Sequence, residues 1–82
     1  MEQRAVGVVA IIVKDRLAAH RVNEVLSDWD GKVVGRMGIP YHDRDLNVIT
    51  LVVDDTTDRI GSLTGKLGMI PGVTVKSTLA KL

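Results

Sequence analysis

An α+β fold, four antiparallel strands with two helices packed on one face of the sheet, follows from three features of this sequence. Two runs of Val, Ile and Leu are apolar on both alternating faces and read as central strands. Two stretches place apolar residues at helical spacing behind an Asp or Thr cap. Two further segments mix apolar with polar or charged residues, as edge strands do.

The first run, residues 5–13, is Ala-Val-Gly-Val-Val-Ala-Ile-Ile-Val and predicts a strand buried on both faces. Asp15 then supplies an N-cap. Ala18, Val22, Val25, Leu26 and Trp29 fall on one face, with His20, Asn23, Glu24 and Ser27 opposite, so the spacing predicts a helix over 15–29. Asp30-Gly31 ends it. Lys32 to Ile39 predicts a second strand whose Arg36 and two glycines mark an edge, and Pro40 to Asp45 is a polar turn. Leu46 to Val53 is the third strand, with Leu46, Val48 and Val52 on one face and Ile49, Leu51 and Val53 on the other. Asp54-Asp55-Thr56-Thr57-Asp58 offers caps and first-turn acids for a second helix with Ile60, Leu63, Leu67 and Ile70 on its apolar face. Pro71-Gly72 stops that helix, and Val73 to Leu79 predicts a last strand with a polar face.

This order is that of the ferredoxin-like βαββαβ fold, in which the sheet runs 4-1-3-2 and both helices lie on one face. The pattern agrees with it: strands one and three, apolar on both sides, take the two central places. Nothing in the chain is left to cover the second face of the sheet. Its apolar residues therefore predict a homo-oligomer, dimer or tetramer.

Eighty-two residues bury one core, so residues 1–82 are read as a single domain. With 45% hydrophobic and 26% charged residues, the composition is that of a folded chain rather than a disordered one. One Trp, one Tyr and no Phe leave the core to Val, Ile, Leu and Met and provide no stacking platform for nucleobases. Eleven basic against ten acidic residues, with no run of one sign, leave no electrostatic footprint for direct nucleic-acid binding. The absence of Cys excludes disulfides, thiolate metal sites and a thiol nucleophile. The first apolar run, about ten residues, is too short to span a membrane. A cytoplasmic protein without membrane attachment is expected.

Few side chains invite a chemical reading. His42 with Asp43 and Asp45 falls short of a convergent metal set and reads as a solvated turn. His20 sits beside Glu24 on the polar face of the first helix. Gly65-Lys66 resembles a phosphate loop only in part, because Leu67 stands where Ser or Thr is required. Arg16 and Asn47 are the residue types that acylphosphatases use on a related fold, without the glycine-rich phosphate cradle. Trp29 reads as a core plug. Asp55 and Asp58 argue against an anion site at the start of the second helix. No catalytic residue, metal site or cofactor is expected.

The second helix holds the remaining candidate. Gly61, Gly65 and Gly68 lie within about sixty degrees of one another on its wheel. Each costs about 0.5–1 kcal/mol relative to Ala. A smooth ridge kept at that cost predicts close packing against the first helix or a neighbouring subunit, or a small ligand in a groove between subunits.

The segment from Asp58 through Gly61-Ser62-Leu63-Thr64-Gly65-Lys66-Leu67-Gly68 to Val73 closely resembles a family of short ACT-like proteins named as iron-only hydrogenase system regulators. The similarity extends along the whole chain, through Asp15-Arg16 at the start of the first helix and Arg36-Met37-Gly38-Ile39-Pro40 at the end of the second strand. The resemblance implies a non-catalytic regulatory domain that senses a small molecule or docks on a protein partner. Amino-acid-binding ACT domains usually carry a glycine where this chain has Lys14-Asp15-Arg16, and nickel-responsive relatives use several His and a Cys. Neither ligand carries over. A scaffold subunit without ligand and an acylphosphatase-like enzyme are the alternatives.

Overall fold

The computed structural model describes residues 2–82. Its elements are β1 (Arg4–Val13), α1 (Arg16–Asp28), β2 (Lys32–Tyr41), a 3-10 turn (His42–Arg44), β3 (Leu46–Thr56), α2 (Thr57–Gly68) and β4 (Val73–Lys81). The sheet order is β2-β3-β1-β4, antiparallel throughout, as the apolar pattern predicts.

Alternation along β1 and β3 decides which side chains form the core. Ala5, Val9, Ile11 and Val13 of β1 and Ile49, Leu51 and Val53 of β3 point to the helix side and are buried. Onto them α1 lays Ala18 and Val22, and α2 lays Ile60, Leu63 and Leu67. Trp29 packs partly buried at the end of α1. The intervening residues of the same two strands face the side without helices, where Val8 and Ile12 are 40% and 36% exposed. Burial on both faces, expected for strand one, is therefore reached on one face only within a single chain.

Caps fix both helix starts. Asp15 Oδ1 accepts the N–H of Leu17 at 2.8 Å, and Thr56 Oγ1 accepts that of Arg59 at 3.2 Å. Gly72, at φ 82°, turns the chain after α2 in a conformation that favours glycine. The carbonyl of Gly72 accepts the Lys14 N–H at 2.9 Å and ties this turn to the β1–α1 connection. The chain ends also meet: the Leu82 N–H donates to the Arg4 carbonyl at 2.9 Å, and the Gln3 side-chain amide donates to the Leu82 carbonyl at 2.9 Å.

Three strands outrun their expected ends. β2 continues through Pro40 and Tyr41, because on an edge strand a missing N–H need cost no ladder bond. β4 reaches Lys81. β3 continues through Asp54, Asp55 and Thr56, which pair with Val6, Ala5 and Arg4. Of the acids expected to cap α2, Asp54 and Asp55 thus stay in the sheet, and only Thr56 caps.

Asp55 is 7% exposed, and its neighbours hold its charge. Its Oδ1 accepts the Thr56 N–H at 2.7 Å, and its Oδ2 accepts Arg59 Nε at 2.9 Å. Arg59 also pairs with Asp30 in the α1–β2 turn, while Arg4 reaches Asp54 at 3.2 Å and Asp55 at 3.7 Å. Gly31 is required beside this cluster, since a methyl there would overlap the Trp29 indole and the Asp55 carboxylate. Burial pushes the Asp55 carboxyl up, but the Thr56 N–H and the guanidinium groups of Arg59 and Arg4 outweigh it and hold it below the ordinary carboxylate value. Asp30 is held low chiefly by its hydrogen bond to Arg59. Stability from depressed carboxylates is complete above the unfolded value of about 3.9 and is lost as pH falls through the native values. Asp55→Ala is accordingly expected to cost about 2 kcal/mol near neutral pH. Urea midpoints measured from pH 7 to pH 3 should show the gap to the parent protein narrowing below pH 4.

Candidate functional site

Where β1 hands over to α1, the antiparallel pairing of β3 brings the β2–β3 hairpin alongside, with Val13 opposite Asn47. The two connections enclose a cleft of about 510 Å³ lined mainly by Lys14, Asp15, Arg16, His42, Asp45 and Asn47. That is within the roughly 300–1,000 Å³ of small-molecule sites. Both walls are shaped by the backbone. Asp45 turns the hairpin in the left-handed region at φ 55°, a conformation Asp tolerates, and its N–H closes on the His42 carbonyl at 3.2 Å. The opposite wall is pinned by the Asp15 cap and the Lys14–Gly72 bond.

Two cationic and two anionic side chains meet in this cleft, beside the amide of Asn47 and the imidazole of His42. The arrangement can take hydrogen bonds and charge of either sign. Arg16 and Asn47, far apart in sequence, do come together here, but the turn beside them is Lys14-Asp15-Arg16 and holds no glycine-rich cradle. Among the described residues no group of three or more His, Cys, Asp or Glu is placed to hold a metal ion. Sequence reasoning took these residues in small groups, His42 with Asp45 and Arg16 with Asn47, and did not join the groups into one cleft. The β1–β3 register was the signal that could have done so.

A second hollow, about 220 Å³, lies between the end of α1 and α2 and is lined by Val25, Trp29, Arg59, Leu63 and Lys66 among others. It is small, and its polar wall is the Arg59 ion-pair cluster that braces the α1–β2 turn. Trp29 closes its floor against the core.

The glycines of α2 lie apart from both hollows. Gly61, Gly65 and Gly68 are exposed, and among the described residues nothing beyond the adjoining backbone of α2 comes within 4 Å of where a side chain would begin. Helix α1 does not reach them. Any close approach to this flank comes from outside the chain. Gly65-Lys66 lies within α2 and forms no phosphate loop. His20 is exposed on α1. No helix among the described residues is long and apolar enough to cross a membrane.

Comparison with known proteins follows the same lines. Residues 5–77 match the family described as "TM1266-like: Iron-only hydrogenase system regulator, putative". Among solved structures, the protein TM1266 from Thermotoga maritima is 34% identical, with 95% of this chain and 99% of that chain covered and a TM-score of 0.89. The ACT domain from GTP pyrophosphokinase of Chlorobium tepidum is 19% identical, with 93% and 99% covered and a TM-score of 0.74, a likeness of fold. A homoserine dehydrogenase from Thiobacillus denitrificans is 11% identical, with 96% of this chain but 17% of that one covered and a TM-score of 0.66, again a likeness of fold. Comparison with curated proteins gives no match. The chain therefore belongs to the TM1266-like family of iron-only hydrogenase system regulators and has the ACT-like form of the ferredoxin-like fold.

Proposed function

We propose that this chain is a non-catalytic regulatory domain of an iron-only hydrogenase system whose input is a small polar molecule held between the β1–α1 turn and the β2–β3 hairpin. The observation that carries the reading is the cleft itself. It is large enough for a metabolite, and its charges of both signs, Lys14 and Arg16 with Asp15 and Asp45, suit a charged or zwitterionic ligand. Family membership supports the regulatory role. Ligand binding here would act on structure directly, because the cleft joins the ends of β1 and β3, the two central strands, and a ligand that bridges the two connections stiffens both.

Thermal denaturation with panels of amino acids, nucleotides and other charged metabolites tests this. A ligand present at a hundred times its dissociation constant stabilises by about 2.7 kcal/mol. For a domain of this size that raises Tm by roughly 10 °C or more. Arg16→Ala is expected to abolish the shift while leaving the unliganded Tm within about 2 °C, since Arg16 is exposed at the start of α1. A panel without effect, or a shift undiminished in Arg16→Ala, would overturn the proposal.

The second reading is docking of a protein partner on the bare flank of α2, favoured by the open space above Gly61, Gly65 and Gly68. Among the described residues of one chain nothing opposes a methyl there. Gly65→Ala is expected to raise the stability of the unbound chain by about 0.5–1 kcal/mol through helix propensity, read as a higher urea midpoint. A docking role requires in addition that Gly65→Leu leave the fold intact and weaken association.

A further inference from the structure

The register defines the sheet face without helices row by row. Ile39, Val48, Ile12 and Thr74 form one row across the strands; Met37, Thr50, Ala10 and Lys76 form the next; Gly35, Val52, Val8 and Thr78 form a third. No element among the described residues covers them. Met37 is 57% exposed and Ile39 48%, beside the half-open Val8 and Ile12 of the central strand. Four strands spaced about 4.8 Å apart and some nine residues long give a face of roughly 19 by 30 Å, about 600 Å² in projection. Isolated monomers rarely expose a continuous apolar patch beyond a few hundred Å². Side-chain relief brings the accessible area of such a face close to the ~800 Å² that each partner contributes to a stable interface.

Charge decides the occupant. Lys76, on the edge strand β4, is the one charged residue in these three rows; in the next row, at the end of the face, Lys32 on the opposite edge strand lies across from Asp54, which is paired with Arg4 at 3.2 Å. The face offers no basic stripe to a nucleic acid or an anionic membrane, and no set of charges to a charged peptide. What complements it is a flat, nearly uncharged apolar surface of equal extent, and the chain itself presents one. We propose that the face without helices packs against the same face of a second copy, forming a two-layer sandwich of sheets about 10 Å apart.

The position of Lys76 also selects the symmetry. A two-fold axis lying across the strands would set β4 over β4 and stack the two ammonium groups. An axis along the strands sets β1 over β3 of the second copy and β4 over β2. Each Lys76 stem then lies along the apolar β2 residues and its ammonium reaches the rim. The contact involves neither the cleft nor α2, so a monomeric result would remove this proposal and leave the ligand reading standing.

Sedimentation equilibrium of the full chain at 10–100 µM, concentrations chosen to span roughly micromolar affinity, is expected to give twice the 8.9 kDa chain mass. Met37→Glu and Val8→Glu put charge into the interface at positions open to solvent in one chain. Each is expected to weaken association at least 100-fold with an unchanged circular dichroism spectrum. Gly65→Lys, on the helix side, should leave the dimer intact. Because the chain has no cysteine, Ala10→Cys also permits a test independent of the glutamate variants' folding: a short bis-maleimide should link two chains through this position, and not through Gly65→Cys. The proposal is overturned by a parent protein that stays monomeric at 100 µM, by a dimer that survives both glutamate variants, by dissociation in Gly65→Lys alone, or by a monomer whose apolar face instead binds lipid vesicles.

Discussion

The pairing of β1 with both β3 and β4 is the constraint on which the remainder of the molecule rests. β1 is the first element of the chain, yet its partners lie at least 34 and 60 residues away, counted from Val13 to Asn47 and to Val73, so the sheet closes only when β4 is in place. Once it closes, alternation along β1 does two things together. Ala5, Val9, Ile11 and Val13 become the floor beneath both helices, and Val8 and Ile12 are sent to the opposite face. The same ladder that builds the core therefore also builds the surface that a single chain leaves uncovered.

Much of this was legible in the sequence because it depends on period and caps, which are local. The alternating runs over 5–13 and 46–53, the stripes of α1 and α2, and the Pro71-Gly72 stop all carry their own signal. Asp54 and Asp55 misled for a physical reason. Acids before a helix resemble caps, and whether they stay in a strand depends on a partner, here Arg4 through Ala5 and Val6, that lies fifty residues away. Asp55 with Arg59 at i+4 was a visible pair, but burial beneath the Gly31 turn, which makes it a brace, is tertiary. The cleft escaped notice similarly: its residues come from two connections that only the β1–β3 register joins. Of the candidates singled out in sequence, Gly61, Gly65 and Gly68 proved to line open space, where helix packing alone supplies no neighbour.

Surfaces with different chemistry occupy different parts of this small domain. The polar cleft is at one end of the sheet, the Arg59 brace lies between the helices, the glycines lie on the outer flank of α2, and the apolar face has no helix over it. Charge gathers at the connections, and on the sheet face without helices it is confined to Lys76 on one edge strand and to the end where Lys32 lies opposite Asp54. This separation lets a signal at the cleft and an association through the sheet be altered independently by substitution, since the charged residues of the cleft, Lys14, Asp15, Arg16 and Asp45, lie outside the rows of the apolar face.

The meeting of the two chain ends has its own consequence. Gln3, Arg4 and Leu82 are hydrogen-bonded to one another at the end of the sheet where β1 begins and β4 finishes. Entry and exit thus share one corner, away from the β1–α1 turn and the hairpin. A unit with that geometry can be spliced into a surface loop of a larger protein, or closed into a ring by a short linker, without pulling apart any strand. Joining the ends would leave the native sheet as it stands and restrict only the unfolded chain.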